Sequence, residues 1–175
     1  RTPRLVVPTL LAALVLTGCL PSSPAPPSPA TTDAEPVFAS EDEALAAAEE
    51  AYARYISVVD SILADGGKDP ERLAPLVSDE VYTRELGGFE SFTSNGWHGL
   101  GATEFELSLQ QFSDVEVWAY VCEDISGTDV VNSSGVSVVQ AGRPTLFAFE
   151  VRFLVLDGLV LDAKDPWNGG GVCAG

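Results

Sequence analysis

The sequence predicts an α+β domain in which N-terminal helices pack on a curved antiparallel β-sheet. Between residues 40 and 96, apolar side chains recur every three or four positions, which is typical of amphipathic helices. After residue 96 the period changes to two, and turn residues separate the alternating segments, as in a meander of antiparallel strands. With 175 residues, the chain is long enough for one such domain.

The first predicted helix extends from Ser40 to about Ala64. Ser40 and Glu43 have the spacing of a capping box, in which each side chain bonds to the backbone of the other residue. Gly66 and Gly67 are the predicted end of the helix, because glycine favours helix C-termini. Between these ends, one stripe of apolar residues keeps helical spacing: Leu45, Ala48, Tyr52, Tyr55, Ile56, Val59, Ile62 and Leu63.

Two further helices are predicted before the change of period. Asp69 is the predicted cap of a short helix that begins at Pro70. Ser78 is the predicted start of a longer helix with an apolar stripe of five residues: Val81, Tyr82, Leu86, Phe89 and Phe92. Gly87 and Gly88 each cost about 1 kcal/mol relative to alanine inside a helix. They therefore predict a break there, or a place where another backbone packs closely.

Five strands are predicted in the second half of the domain, and each is an apolar or alternating run between turn residues: 104–110, 115–122, 136–139, 146–156 and 159–163. The first two form an antiparallel hairpin, because only a short turn separates them. On the long fourth strand, every second residue from Phe147 to Val155 is apolar, which predicts one buried face. Asp157-Gly158 predicts a tight turn before the last strand.

The N-terminal part of the chain reads as an export segment and a tether. Residues 1–18 are the predicted signal peptide, because Arg1 and Arg4 precede an apolar run of about a dozen residues, fewer than the roughly 20 needed to span a bilayer. Residues 19–40 are the predicted disordered tether, since a stretch rich in Pro, Ser and Ala buries too little apolar surface to fold. Residues 41–175 are the single predicted domain.

The tetrapeptide Leu16-Thr17-Gly18-Cys19 resembles the lipobox of bacterial lipoproteins. The resemblance implies cleavage before Cys19 and attachment of a diacylglyceryl group, with acyl chains such as palmitate, to its sulfur. Two acyl chains hold a protein stably at a bilayer, at ~0.8 kcal/mol per buried methylene. The implied location is the extracytoplasmic face of the cell membrane, with the membrane as a partner through Cys19. An ordinary signal peptide with a chance cysteine is the alternative.

Cys122 and Cys173 are predicted to form a disulfide. Once Cys19 is assigned to the lipid, they remain as an even pair in an oxidising compartment. The bridge would close a loop of about 50 residues, which stabilises by at most ~4 kcal/mol on the chain-entropy estimate. A metal site or a reactive thiol is disfavoured, because the chain has one histidine and no Cys-x-x-Cys motif.

The composition disfavours nucleic acid as a partner. Without Arg1 and Arg4, seven basic residues stand against 26 acidic ones, whereas phosphate binding depends on Lys and Arg. Diffuse acidity of this kind is typical of a soluble secreted domain. Abundant Ala, Gly, Asp and Val beside few lysines indicate a GC-rich genome such as that of an actinobacterium. No cofactor is predicted.

Three helices followed by a long curved sheet resemble the nuclear transport factor two-like (cystatin-like) superfamily. The similarity extends over roughly residues 41–173, and within it residues 115–139 look like those of small actinobacterial lipoproteins of unknown function. The residues that carry this second resemblance are Val121-Cys122-Glu123-Asp124-Ile125-Ser126-Gly127-Thr128-Asp129-Val130-Val131, Gly135-Val136-Ser137-Val138-Val139, Trp167-Asn168-Gly169 and Cys173. The resemblance implies a cone-shaped fold and an envelope location, and it implies no activity.

The cone of this superfamily holds ketosteroid isomerases and dehydratases as well as non-catalytic modules, so the fold alone does not decide the function. An isomerase-like site needs a carboxylate base and tyrosine or protonated-acid donors that converge in an apolar pocket. The candidates by residue type are Tyr52, Tyr55, Tyr82, Glu104 and Asp124. His98 is a further candidate base, although its place between a helix and a strand favours a structural role.

Glu123, Asp124 and Asp129 could supply oxygen ligands to calcium, but the segment lacks the alternating acidic spacing of an EF-hand loop. The same residue types are ordinary in turns, and we favour that interpretation. No metal site and no catalytic residue are therefore assigned. The expected function is that of a non-catalytic binding or accessory module of the cell envelope, with a small molecule or an envelope protein as partner. The alternative is a cofactor-free isomerase or lyase that uses a carboxylate in the cone.

Overall fold

The computed structural model describes residues 36–173, so the predicted signal peptide, Cys19 and the tether up to residue 35 lie outside the described residues. The elements, in chain order, are α1 (Glu41–Ala64), α2 (Asp79–Asn95), β1 (His98–Leu100), β2 (Glu104–Phe112), β3 (Glu116–Asp124), β4 (Asp129–Val131), β5 (Leu146–Leu156) and β6 (Gly158–Pro166). The fold is α+β, with two helices packed on antiparallel sheets, as predicted. Within the described range, no helix is both long enough and apolar enough to cross a membrane.

Helix α1 begins and ends where its terminal signals predict. The Ser40 hydroxyl accepts a hydrogen bond from the Glu43 backbone N–H at 3.2 Å, while the Glu43 carboxylate accepts from the Ala39 N–H at 2.8 Å. After the helix, Gly67 has a φ of 79°. A Cβ atom there would lie 2.1 Å from the Phe89 carbonyl oxygen, so only glycine lets α1 turn this close to α2.

The short helix predicted after Asp69 is instead a pair of 3₁₀ turns, Pro70–Arg72 and Ala74–Leu76. Asp69 has a φ of 51° and makes no side-chain cap, so the capping prediction is wrong. Pro75 lacks the N–H that a continuing α-helix needs, which explains why only single tight turns form.

Helix α2 is continuous through Gly87 and Gly88, so the predicted break is wrong. A Cβ atom at either glycine would meet nothing within 4 Å, and both residues are exposed. The helix persists because Val81 and Phe89 are buried on either side of the pair, and their packing outweighs the glycine penalty. The Ser78 hydroxyl caps the helix as predicted, by accepting from the Val81 N–H at 3.4 Å.

The main sheet has the strand order β2-β3-β5-β6, with antiparallel neighbours throughout. The predicted hairpin of β2 and β3, the long strand β5 and the tight turn at Asp157 are confirmed. Bulges interrupt the ladder between Leu109 and Gln111 on β2, and opposite Arg152 and Phe153 on β6. Bulges of this kind bend and twist strands.

The core lies between the helices and the inner face of this sheet. The β-strand residues on that face are almost fully buried: Val117, Ala119, Val121, Val151, Phe153 and Leu161. The helices bury an equally apolar set against them: Ala48, Tyr52, Tyr55, Ile62, Val81 and Phe89. Each large apolar side chain removed from water contributes about 1.5–3 kcal/mol, which makes this layer the main source of stability.

A second, two-stranded sheet pairs β1 with β4, so that His98 lies opposite Val131. Neither strand was predicted. The strand predicted over residues 136–139 is wrong, because this stretch makes only an isolated bridge between Ser137 and Val131. The Asn132 side chain accepts from the Val136 N–H at 3.1 Å and holds the segment in a turn.

Candidate functional site

The inner face of the sheet carries one buried polar network, and Glu123 is at its centre. Glu123 on β3 is 7% exposed and follows Val121 at the next inward-facing position. Its Oε1 atom accepts from the Tyr52 hydroxyl at 2.6 Å and from Lys164 Nζ at 2.7 Å. A buried carboxylate therefore has a cation and a hydroxyl donor on the same oxygen.

Lys164 reaches this network because of the bulge in β6. Leu161 pairs with Phe153 and Lys164 pairs with Val151, so both face inward although they are three residues apart. The ammonium group lies 4.4 Å from the centre of the Phe149 ring and 5.1 Å from that of Tyr55. Aromatic faces attract a cation that has lost most of its water.

Tyr55 extends the network to helix α2. Its hydroxyl donates to Glu85 Oε1 at 2.7 Å and accepts from Lys164 Nζ at 3.3 Å. Burial raises the pKa of both tyrosine hydroxyls well above the usual value, and the carboxylates beside them, Glu123 for Tyr52 and Glu85 for Tyr55, raise it further. Both hydroxyls therefore stay protonated and act as hydrogen-bond donors.

The network joins α1, α2, β3 and β6, and its hydrogen-bond donors are paired with acceptors of the same network. Its two tyrosine hydroxyls and its ammonium group all have partners, which is the condition for tolerating buried polar groups in a core. The larger cavities of the described residues are lined by other side chains. A smaller cavity lies beneath the β1–β4 ribbon, near Asp60 and Arg143, and encloses about 170 Å³, below the roughly 300–1,000 Å³ of ordinary ligand sites.

The structure brings together only two of the five candidates for an isomerase-like site, Tyr52 and Tyr55. Tyr82 is half-buried beside the core and outside the network. Glu104 and Asp124 lie opposite each other across β2 and β3, out of phase with the inward-facing Glu123. They therefore do not converge with the tyrosines, because the period of two turns them to the outer face.

His98 has a structural role. Its Nδ1 atom lies 3.0 Å from the carbonyl oxygen of Ala64, one of the last carbonyls of α1. A carbonyl only accepts, so Nδ1 carries the proton and caps the helix end.

Of the three acidic residues considered as calcium ligands, only Asp124 serves a turn, because Glu123 lies in the buried network and Asp129 lies on β4. The Ser126 backbone N–H donates to Asp124 Oδ1 at 2.8 Å, and this bond lowers the pKa of the carboxyl group. Asp129 accepts from the Ser137 hydroxyl at 2.7 Å. Among residues 36–173, no cluster of three or more His, Cys, Asp or Glu side chains is arranged to hold a metal ion.

The outer face of the sheet is crossed by a C-terminal strap, residues 167–173. A disulfide joins Cys173 to Cys122 on β3, with 5.1 Å between their Cα atoms. At the start of the strap, the Trp167 ring packs on Tyr120 with 4.6 Å between centroids. A Cβ atom at Gly169 would lie 2.4 Å from that indole, so glycine lets the strap fold back over Trp167.

Comparisons with known proteins add no family. A scan against protein-family models finds no match, and a search of curated proteins finds none either. A search of solved structures finds a de novo designed β-sheet protein, determined by solution NMR, at 15% identity and a TM-score of 0.36. The alignment covers 77% of this chain and 95% of the designed one, and a similarity at that score carries no argument.

Proposed function

We propose that this chain is a lipoprotein anchored through Cys19 to the extracytoplasmic face of the cell membrane, and that its domain is a non-catalytic binding or accessory module. The lipobox supports the anchor. The Cys122–Cys173 disulfide supports an extracytoplasmic location, because such bonds persist in oxidising compartments. As a finer description of the fold, we propose a nuclear transport factor two-like cone, supported by two helices on one face of a bulged antiparallel sheet.

The observation that carries the non-catalytic role is the state of Glu123. A general base needs a free lone pair within reach of a substrate proton. Glu123 is 7% exposed, one of its oxygens is bonded to both Tyr52 and Lys164, and it lines none of the cavities described above. No substrate proton comes within its reach, so the network stabilises the fold. Binding then falls to the exposed faces and edges of the domain.

The anchor is tested with Cys19→Ala in the natural host. We expect the variant to leave the membrane fraction and to lose labelling by a radioactive fatty acid, since no acyl chain can attach. Cys173→Ser is the matched control, because it also removes a cysteine but keeps the lipid site. Membrane association that survives Cys19→Ala, or processing that resists globomycin, would contradict the proposal.

A cofactor-free isomerase or lyase is the second candidate, and the contact of 2.6 Å between Tyr52 and a buried carboxylate favours it. Such an enzyme would exchange the α-proton of an unsaturated ketone with deuterated water. Exchange by the full chain that disappears in Glu123→Gln, with an unchanged circular dichroism spectrum, would replace the binding proposal by this one. We expect no exchange above the buffer rate.

A further inference from the structure

The two edges of the main sheet are protected unequally. Edge β6 is covered by the chain that precedes and begins α2. The Ser78 N–H and hydroxyl bond to the carbonyl oxygens of Leu161 and Asp162 at 2.9 and 3.0 Å. Further along, Arg84 donates to the Lys164 carbonyl at 2.5 Å. These bonds satisfy the backbone groups that an edge strand otherwise presents to solvent.

Edge β2 has no such cover within residues 36–173. Eight of its nine residues, all but Gln110 in the bulge, pair with β3 on one side, and no backbone bond from another described segment reaches the other side. The bulge at Leu109 and Gln111 distorts only the far half, so residues 104–109 form a regular edge. Unpaired N–H and C=O groups in a row are a template for an additional strand.

A groove of about 680 Å³ follows this regular edge, between β2 and an exposed stripe of α1. We call it the β2–α1 groove, and its lining residues are Ala46, Glu49, Glu50, Ala53, Phe105, Glu106 and Leu107. The alanines leave room beside the strand that larger side chains would fill. Phe105 and Leu107 are half-buried and offer apolar contacts at alternate positions.

The groove is acidic. Glu49 and Glu106 of its lining, and Glu104 just outside it on β2, form no ion pair with a described residue, while Glu50 pairs with Arg54 at 2.5 Å. Glu104 also lies directly opposite Asp124 in the ladder, and like charges in that position destabilise a strand pair. A basic side chain placed beside β2 would relieve this repulsion.

We propose that the β2–α1 groove binds an extended segment of a partner protein in which basic and apolar residues alternate. The segment adds a strand to β2 through main-chain hydrogen bonds. Its apolar side chains lie beside Phe105 and Leu107, and its Lys or Arg side chains face Glu104 and Glu106. This inference rests on the proposed binding role, whose partner class it names, and it does not depend on the lipid anchor.

Two other occupants fit the same edge poorly. The tether of this chain contains prolines at 21, 24, 26, 27, 29 and 36, each without the N–H that a ladder needs, and its proline-free stretch, residues 30–35, carries the acidic residues Asp33 and Glu35 instead of basic ones. A second copy would bring another Glu104 and Glu106 to the edge, in a chain whose net charge is already −17. The charges that repel self-pairing are the ones that attract a basic strand.

The test uses the full chain in mild detergent and a short synthetic peptide of alternating Lys and Val. Binding is measured by fluorescence anisotropy, and its position is measured by hydrogen exchange of residues 104–109. We expect micromolar or weaker binding that slows exchange at this edge. A matched Glu/Val peptide should bind at least roughly tenfold more weakly because its charges are reversed. A Lys/Val peptide methylated on alternate backbone nitrogens should lose binding, because it cannot form the ladder.

Two variants map the site on the protein. Ala53→Trp fills the groove from an exposed helical position, and Glu106→Lys reverses a charge on the strand. Each should lower the affinity for the Lys/Val peptide roughly tenfold or more. The matched controls are Glu90→Trp and Glu90→Lys, which make the same kinds of change on the exposed surface of α2 and should leave the affinity unchanged.

Several results would overturn the proposal. Binding that survives backbone methylation is charge attraction without strand addition. Exchange at residues 104–109 that is already slow without peptide means that the tether holds the edge. A dimer in sedimentation that Ala53→Trp dissociates means that a second copy holds it. Absence of peptide binding would refute the proposal that the groove binds a strand. It would leave the lipid anchor untouched, because the release of Cys19→Ala from the membrane tests the anchor separately.

Discussion

On the inner face of the main sheet the buried polar groups bond to one another, whereas on the outer face the buried indole nitrogens of Trp118 and Trp167 have no partner among the described residues. The inner face is held by packing and by a matched network beneath two helices. The outer face is held by a covalent strap of seven residues, 167–173. The difference indicates that the inner face is secured by burial and a paired polar network, while the outer face relies on the disulfide and on surface contacts such as Trp167 on Tyr120 and Arg152 on Trp118.

The substitution Glu123→Leu is the strongest test of this difference, because it removes the centre of the inner-face network. We expect a loss of about 3–5 kcal/mol in the free energy of unfolding, because the change leaves Lys164 charged and buried without its partner. Urea unfolding measures it. Glu123→Leu combined with Lys164→Met should recover most of the loss, since both charges then leave the core together. A cost below about 1 kcal/mol for the single change would mean that the network is not what secures the inner face.

Cys173→Ser tests the outer face. We expect a loss of at most about 4 kcal/mol, because a loop with a sequence separation of 51 is no longer closed in the unfolded chain. The native fold should survive, and the near-ultraviolet dichroism should fall as Trp167 leaves Tyr120. A free thiol found by labelling the unreduced wild-type protein would refute the bridge itself.

The smallest expected effect, counted per tyrosine and per pH unit, lies in the alkaline range. The folded-state pKa of Tyr52 and Tyr55 is raised above the usual value of about 10, so their contribution is complete below pH 10 and is lost as the pH rises further. Each tyrosine should remove about 1.4 kcal/mol per pH unit above 10. Urea unfolding of the wild type, Tyr55→Phe and Tyr52→Phe/Tyr55→Phe measures the slope. A slope that is equal in all three proteins would contradict the assignment.

Local signals in the sequence predict most of the main architecture. The caps at Ser40 and Ser78 and the boundaries of residues 146–156 follow from hydrogen-bonding side chains and from period, which need no tertiary information. Gly87 and Gly88 show the limit of propensity, because packing on either side keeps α2 intact. The β1–β4 ribbon was beyond prediction, since strands of three residues form only where the rest of the fold brings them together.

The candidate site divides in the same way. The inward position of Glu123 could be predicted from the sequence, because it continues the alternation of Val117, Ala119 and Val121. The inward position of its partner Lys164 could not be predicted, because simple alternation from Leu161 places Lys164 on the outer face. Only the bulge in β6 reverses that phase, and no residue type in the sequence marks the bulge.

If the chain crosses the membrane N-terminus first, as proposed, the positions of the two bridged cysteines set the order in which they meet an oxidant. Cys122 would leave the export channel 51 residues before Cys173 and would reach the oxidising side before its partner. Until its partner arrives, the Cys122 thiolate can attack a disulfide of another molecule, forming a mixed disulfide and releasing that molecule's other sulfur as a thiol. The yield of correctly bridged protein therefore depends on how fast the chain emerges relative to how fast it is oxidised.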